Sequence, residues 1–536
     1  MILLAGFLDV VFKALVLVGF ALVVGGAAFA LGVLWPLRGQ GPAPLRRSLD
    51  LVAAGAVAVL VFELAMLVIE PWALADELGR WPVADFLATG FARAGLGRAA
   101  VGATLGAFAL RRRARAADGS TWALIAVGAV VLTACGAPLV HGASRLEGAA
   151  ALTTLTVAHQ VGAGVWWGGL VHLLAQRRVG PADASAPRAW TAMVIRFSPV
   201  AAAAVAWIAI TGTILASRYV ASLEGLVGSA YGAMVLTKVA LFGATLLLAG
   251  GNLLAARSWR RGAEPTEDGA LRVTTFAAAE ACAVLVILLS AAALTSQPPA
   301  VDLREKATIG EVAGRFAPKR PRLAPPPHRE LVATAASSLD PYTLPGPLER
   351  AQSDFNHNVA GLLVLATALG ALLGGSGALR AARHWPLGFL TLAAFLLVFA
   401  EPNGWPLGPE PFFATLVAPS VLLHRIATVL VAALALLEWR VRAGGLAATR
   451  ARFAFPVLAG VGGALLLTHS HSAFATPSAY LIEVSHNAIG VLAVLLGVAR
   501  WLELRAKEPI LRRACALIGP ACMALIGLVL VFYRES

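Results

Sequence analysis

Apolar residues in this chain do not alternate with polar ones. They run in long stretches, close to the roughly 17–25 residues that cross a bilayer as a helix. The runs are Val10–Leu34, Leu49–Ile69, Ala94–Leu110, Trp122–Val140, Leu152–Leu174, Phe197–Ala216, Met234–Ala255 and Val273–Leu294. After a long polar interval come Val359–Leu373, Leu387–Ala400, Thr415–Leu437, Phe453–Thr468, Tyr480–Val498 and Ala514–Phe532. A membrane-spanning β-barrel would read as short alternating segments. Ala, Leu, Val and Gly dominate these runs, so the pattern predicts an all-α fold. It is a polytopic membrane helix bundle of about fourteen transmembrane helices, eight before the interval and six after it.

The polar positions between the runs carry a second pattern. One set of loops is basic: Arg38, Arg46 and Arg47; Arg111, Arg112, Arg113 and Arg115; Arg177, Arg178 and Arg188; Arg257, Arg260 and Arg261. It continues with Arg380 and Arg383; Arg440, Arg442, Arg450 and Arg452; and Arg505, Lys507, Arg512 and Arg513. The alternate set is acidic or neutral: Glu70 to Asp85, His141 to Glu147, and Glu401 to Glu410. Positive loops stay in the cytoplasm, which predicts both termini outside. The first run lacks a basic leader and a small-residue cleavage site, so it reads as a retained span.

The interval Ser296–Asn356 falls outside on this reading. Its proline clusters, at Pro298-Pro299, Pro325-Pro326-Pro327 and Pro341 to Pro347, predict extended, semi-rigid chain. It divides the protein into a first membrane module, 1–295, and a second, 357–536. No internal repeat is visible.

Composition sharpens this picture without changing it. Hydrophobic residues make up 59% and charged residues 13%, about half the share of a soluble protein. The lipid bilayer is the partner implied. The net charge of +14 is explained by the basic loops, which excludes nucleic acid as the partner. Cys135, Cys282, Cys515 and Cys522 lie in apolar runs without metal-type spacing and read as packing residues. No Walker loop, Cys-x-x-Cys or His-Glu-x-x-His is present, which argues against an ATP-driven pump and gives no enzyme motif.

Chemistry concentrates on the ten histidines. His159, a candidate metal ligand, lies in the fifth run, followed by Gly162, Gly164, Gly168 and Gly169, which make a small-residue face for a neighbouring helix. His357 opens the ninth run, and His424 lies within the eleventh. His469 and His471 end the twelfth, and His486 is one turn after Glu483 in the thirteenth. Each alone reads as a buried, hydrogen-bonded residue. Together, His357, His469, His471 and His486 fall near the outer surface, with His424 beneath them, and are expected to converge on a metal such as copper. Arg425 at mid-membrane needs a partner, and Glu483 is the expected one. Glu63, Lys238 and Glu280 are further intramembrane charges, read as ion pairs or as parts of a polar pathway. Met is rare, five residues, so a thioether ladder for Cu(I) is absent. A b-type cytochrome is the competing reading, with haem b held by His424 and His486.

Several segments in order resemble the CopD family of bacterial copper resistance or uptake membrane proteins. They are His159 through Trp167-Gly168-Gly169, Arg196-Phe197-Ser198, Thr211-Gly212, Tyr231-Gly232 with Lys238, and Leu294-Thr295-Ser296-Gln297-Pro298-Pro299. The second module is similar to the C-terminal part of the long members. The matching pieces are Phe355-Asn356-His357, Trp385-Pro386, Trp405-Pro406-Leu407-Gly408, His424-Arg425 and Glu438-Trp439-Arg440. Thr468-His469-Ser470-His471, Ile482-Glu483-Val484-Ser485-His486 and Tyr533-Arg534-Glu535 follow. The CopD-like region covers about 141–295. The resemblance implies copper movement across the bacterial cytoplasmic (inner) membrane, often beside a periplasmic CopC-like protein, which here would be a separate chain. Long members often carry a second His where this sequence has Asn358.

Overall fold

A computed structural model describes residues 2–177, 186–337, 346–375, 380–416, 418–468 and 476–535. Among these residues there is no β-strand, and fourteen helices have twelve residues or more. They are α1 (Ile2–Phe29), α2 (Ala43–Leu78), α3 (Gly90–Arg111), α4 (Gly119–Gly136), α5 (Ala149–Gln176), α6 (Ala186–Tyr219) and α7 (Ala230–Arg260). The rest are α8 (Glu267–Thr295), α9 (Pro347–Gly375), α10 (Gly388–Phe399), α11 (Pro419–Arg442), α12 (Ala454–Thr468), α13 (Pro477–Arg505) and α14 (Pro509–Val531). The protein is a polytopic helical bundle. Twelve helices are long and apolar enough to cross a bilayer. The two others among the fourteen, α3 and α5, have 22 and 28 residues, so length is not what they lack. Arg93 and Arg98 in α3, and Thr, Gly, His and Gln in α5, dilute their apolar character. They lie against α2 and α4, and against α1 and α6, where neighbouring helices shield polar groups from lipid.

Local sequence explains the boundaries. Ser229 caps α7 by accepting from the Gly232 amide at 3.0 Å, and Thr266 caps α8 through Gly269 at 3.1 Å. Pro347, Pro419, Pro477 and Pro509 each open a helix, where a missing amide hydrogen costs nothing.

No charged residue occurs from Ala14 to Leu37, and α1 accordingly forms the most deeply buried span. It packs on α2, α4, α5 and α8. Beside it, α5, α6, α7 and α8 close a four-helix ring through successive contacts and an α8–α5 contact. The later helices form a second ring: α9 to α14 contact in chain order, and α14 returns to α9. The rings adjoin where α7 and α8 meet α12 and α13. Small residues allow these approaches. A Cβ on Gly168 of α5 would stand 1.9 Å from the Ala21 carbonyl oxygen of α1, as the glycine pattern in that run predicts.

Buried charge pins the end of the second ring that carries Arg440 and Arg505. Glu438, 1% exposed, is met by Arg442 at 2.7 Å and Arg500 at 2.8 Å, and Arg500 also pairs with Glu503 at 2.9 Å. This network joins α11 to α13 and supplies the compensation that a buried charge requires.

The interval between the rings differs from the extended chain expected. Its described part contains short helices at Ile309–Phe316 and His328–Ser337, and α9 begins already at Pro347. Thr308 and Glu311 form a capping box, and the Thr308 amide and hydroxyl hold the exposed Glu311 carboxyl below its ordinary range. Ala307 and Val312 bury against Tyr480, Leu481 and Val484 of α13 and Ala233 of α7. Apolar positions between the prolines thus dock the interval on both rings.

The close α1–α5 contact is testable. Gly168→Ala should destabilise the protein by about 1–3 kcal/mol through overpacking, read as a lower thermal midpoint in detergent. Gly250→Ala, where a Cβ meets nothing within 4 Å, should leave the midpoint unchanged or slightly raised.

Candidate metal centre

Successive helices of the second ring run in opposite directions, so the starts of α9, α11 and α13 share one end with the finish of α14. Three of the sequence-selected histidines gather there. His357 lies ten residues past the start of α9, and His486 nine past the start of α13. Their rings meet edge to face, with centroids 5.5 Å apart at 88°. Tyr533, just past α14, stacks on His357 at 3.9 Å and lies 6.0 Å from His486. Burial pushes the Tyr533 phenol up, so it stays protonated.

Backbone carbonyls set the tautomers. His357 Nδ1 lies 2.8 Å from the Ser353 carbonyl oxygen, and His486 Nδ1 lies 3.2 Å from that of Ile482. A carbonyl only accepts, so each Nδ1 carries the hydrogen and each Nε2 keeps its lone pair. His424 reaches the same tautomer by another route, with Nδ1 2.5 Å from Glu401 Oε1. An imidazole held at one nitrogen by an oxygen acceptor is the usual arrangement of a metal-binding histidine. His424 is within electrostatic range of both other rings. Among the described residues no group of three His, Cys, Asp or Glu is disposed to hold one ion. The observed unit is therefore a two-imidazole pair with His424 beside it. His469 and His471 lie outside the described residues.

Two expectations are corrected. His424 is not deep in its span: α11 starts at Pro419, five residues earlier, so by helix position it is the shallowest of the three. The residues before Pro419, counted into the run from their hydropathy, precede the helix. Arg425 does not pair with Glu483. Its Nη1 donates to the Leu397 carbonyl at 2.9 Å and its Nη2 to that of Trp405 at 2.6 Å, while its guanidinium lies 5.3 Å from the centroid of the Phe412 ring. Charge-assisted bonds to carbonyls and a ring face take the place of a counter-ion. The Trp405 carbonyl is presented by a tight loop, in which a Cβ on Gly408 would stand 2.0 Å from the Asn403 carbonyl. Glu483 is buried on α13.

Sequence reasoning missed three parts of this site. Glu401 was read as loop charge, yet it fixes His424. Asn358, fully buried where a second histidine was anticipated, donates to the Leu530 and Tyr533 carbonyls, each at 3.1 Å. Its oxygen accepts from the Arg322 amide at 2.6 Å and from Arg534 at 2.7 Å. Arg534 also donates to the Arg320 carbonyl, and Arg315 donates to the Arg534 carbonyl. These bonds clasp the chain end and the interval over the ring, and so seat Tyr533 on His357. The Tyr533-Arg534-Glu535 motif was the only sequence signal for this.

The other selected residues lie in the first half of the chain. His159 of α5 is bonded through Nδ1 to the Thr211 hydroxyl of α6 at 2.9 Å. Glu63 of α2 is 1% exposed and forms an ion pair with Arg98 of α3 at 2.8 Å. Lys238 of α7 is half-buried and forms no hydrogen bond or ion pair among the described residues. Glu280 of α8 accepts from Trp166 Nε1 at 2.8 Å and from Asn252 Nδ2 at 3.0 Å.

Fold and burial define a multi-pass helical membrane protein with polar groups gathered inside two helix rings. Within it, residues 191–294, from α6 to the end of α8, match the family described as copper resistance protein D, CopD. The matched segment contains Thr211, Tyr231, Lys238, Asn252 and Glu280 but none of the histidines of the second ring. Comparison with curated proteins and with solved structures finds no match.

The partners of Arg425 give a direct check. Arg425→Met should cost about 1–3 kcal/mol by leaving two carbonyls unmet. In a double-mutant cycle with Glu483→Gln the two effects should add to within about 0.5 kcal/mol. A coupling well above that would restore the ion pair.

Proposed function

We propose that this chain handles copper at the outer face of a bacterial cytoplasmic membrane and passes it inward between helices without ATP. Copper is cargo here. His357 and His486 are its first ligands, His424 is the neighbouring one, and His469 and His471 join them by sequence position. The observation that carries the reading is the His357–His486 contact, with both Nδ1 atoms bonded to carbonyls, which fixes the Nε2-unprotonated tautomer that a metal takes. Two rings sharing one ion through ~2 Å bonds have centroids roughly 5–6 Å apart, and the observed 5.5 Å suits that. Imidazole nitrogen takes copper ahead of zinc in the first-row affinity order. The CopD match at 191–294 supports the same metal.

Orientation follows from the loops. The basic loops lie at the end of the second ring opposite the histidines, so the positive-inside rule turns His357 and both termini outward. A periplasmic CopC-like protein is then positioned to deliver copper from that side. Nothing in the arrangement favours haem over copper, and an absorbance spectrum separates the two.

Three outcomes follow. The purified protein should bind copper without a Soret band, and His357→Ala with His486→Ala should abolish that copper. Unchanged stoichiometry in the double variant counts decisively against the site. Glu401→Gln should weaken copper binding about 10–100-fold, the usual cost of losing a histidine's orienting partner. A reporter fused after Ser536 should be active outside, and cytoplasmic activity would reverse the orientation.

A further inference from the structure

The ring α5–α8 holds a file of polar groups that the copper site does not use. On α7, Tyr231, Lys238, Thr245 and Asn252 recur at intervals of seven residues. Seven residues return nearly to the same helix face, drifting about 20° each time, and advance roughly 10 Å along the axis. Tyr231 is 5% exposed and Thr245 fully buried, so this stripe faces protein. Other helices supply groups at matching levels. Tyr231 lies with His141 and Tyr219, at centroid separations of 6.4 and 6.1 Å. Lys238 is within electrostatic range of His159, which is tied to Thr211. Asn252 meets Glu280, and Trp166, seven residues after His159 on α5, meets it from the other side.

Glu280 is the singular member. It is 3% exposed and no cationic side chain pairs with it among the described residues. An isolated carboxylate in an apolar interior is neutralised rather than left charged. Its neighbour supplies a second observation: Asn252 Oδ1 is buried and has no hydrogen-bond partner among the described residues. The two ends of an amide are nearly alike in shape. With the carboxylate ionised, Asn252 Nδ2 donates to Glu280 Oε2. With a proton on Oε2, a turned amide accepts that proton through Oδ1. The pair thus accommodates both states of Glu280. At the far end of the file, His141 Nε2 and Arg145 Nη2 are also buried without hydrogen-bond partners among the described residues, which makes a polar mouth. Asp302 holds Arg145 at 2.7 Å there, Lys13 is within electrostatic range, and burial lowers His141 toward the neutral imidazole.

We propose that α5–α8 form a proton path, entered at His141, Tyr219 and Tyr231, in which Glu280 takes up and releases the proton. The step is a transfer alone: a proton leaves water at the mouth, passes by Lys238 and His159, forms an O–H bond on Glu280, and leaves that bond for water at the α7 end that carries Arg257 and Arg260, which restores the carboxylate. No electron moves. The donor set selects the proton over a metal ion. Phenol, imidazole, amine and carboxyl all exchange protons, whereas the Lys238 ammonium repels metal cations and Cys282 of α8 is exposed. The path uses none of the second-ring histidines of the copper reading and stands apart from it.

The test is proton flux into liposomes carrying the purified full chain, with a trapped pH dye. A potassium diffusion potential set by valinomycin drives it, and equal copper on both sides leaves no copper gradient. The wild-type protein should acidify the interior faster than protein-free liposomes, and Glu280→Gln should return the rate to the protein-free value. Asn252→Ala, which keeps the carboxyl but removes the turning amide, should lower the rate as well. Copper stoichiometry on the same preparations reads the other ring, so a folded Glu280→Gln protein keeps its copper. A wild-type rate equal to that of empty liposomes, or Glu280→Gln and Asn252→Ala proteins as fast as wild type, overturns the proposal.

Discussion

Polar groups inside a bilayer have no water to turn to, and each must find its partner within the protein. That constraint organises this molecule. Glu63 with Arg98 ties α2 to α3, and Glu438 with Arg442 and Arg500 ties α11 to α13. Arg425 takes two carbonyls and a ring face, which draws the loop after α10 over the start of α11. Where charges are matched, they hold helices together. Where a carboxyl is buried with neutral partners only among the described residues, as at Glu280, the group retains chemistry to offer.

Much of this was legible in the sequence, for physical reasons. Apolar length marks a helix whose backbone bonds are all internal, so the long helices could be placed before any contact was known. The glycines from 162 to 169 announced a close approach because a missing side chain admits a neighbouring backbone, and Gly168 meets Ala21 of α1. Histidine levels followed from the alternation of helix direction, which brought His357 and His486 to one end. The misses share a cause. Arg425 was assigned the nearest opposite charge in the pattern, but its partners are carbonyls, which every residue carries and no sequence motif marks. Asn358 and Glu401 act through loops that return from far along the chain. Residue type alone could not say that Asn358 clasps Tyr533 or that Glu401 holds His424.

The segment that matches the CopD family and the histidine pair occupy different rings. Their contact runs through α7 and α8 against α12 and α13, with the docked interval bridging α7 and α13 through Ala233, Val312 and Tyr480. On the proposed reading, one ring gathers copper with neutral imidazoles while the other moves protons along α7. The touching helices α7, α8, α12 and α13 are then the place where the two rings meet.

The central claim is that copper sits on imidazole nitrogen in the second ring. Copper-edge X-ray absorption of the purified full-length protein tests it most directly. The account predicts nitrogen scatterers at ~2.0 Å, as for other imidazole-bound first-row metals, with the outer-shell pattern of histidine rings and a signal lost when His357 and His486 are replaced. A sulfur shell at ~2.3 Å, or a spectrum unaltered by those replacements, would contradict it.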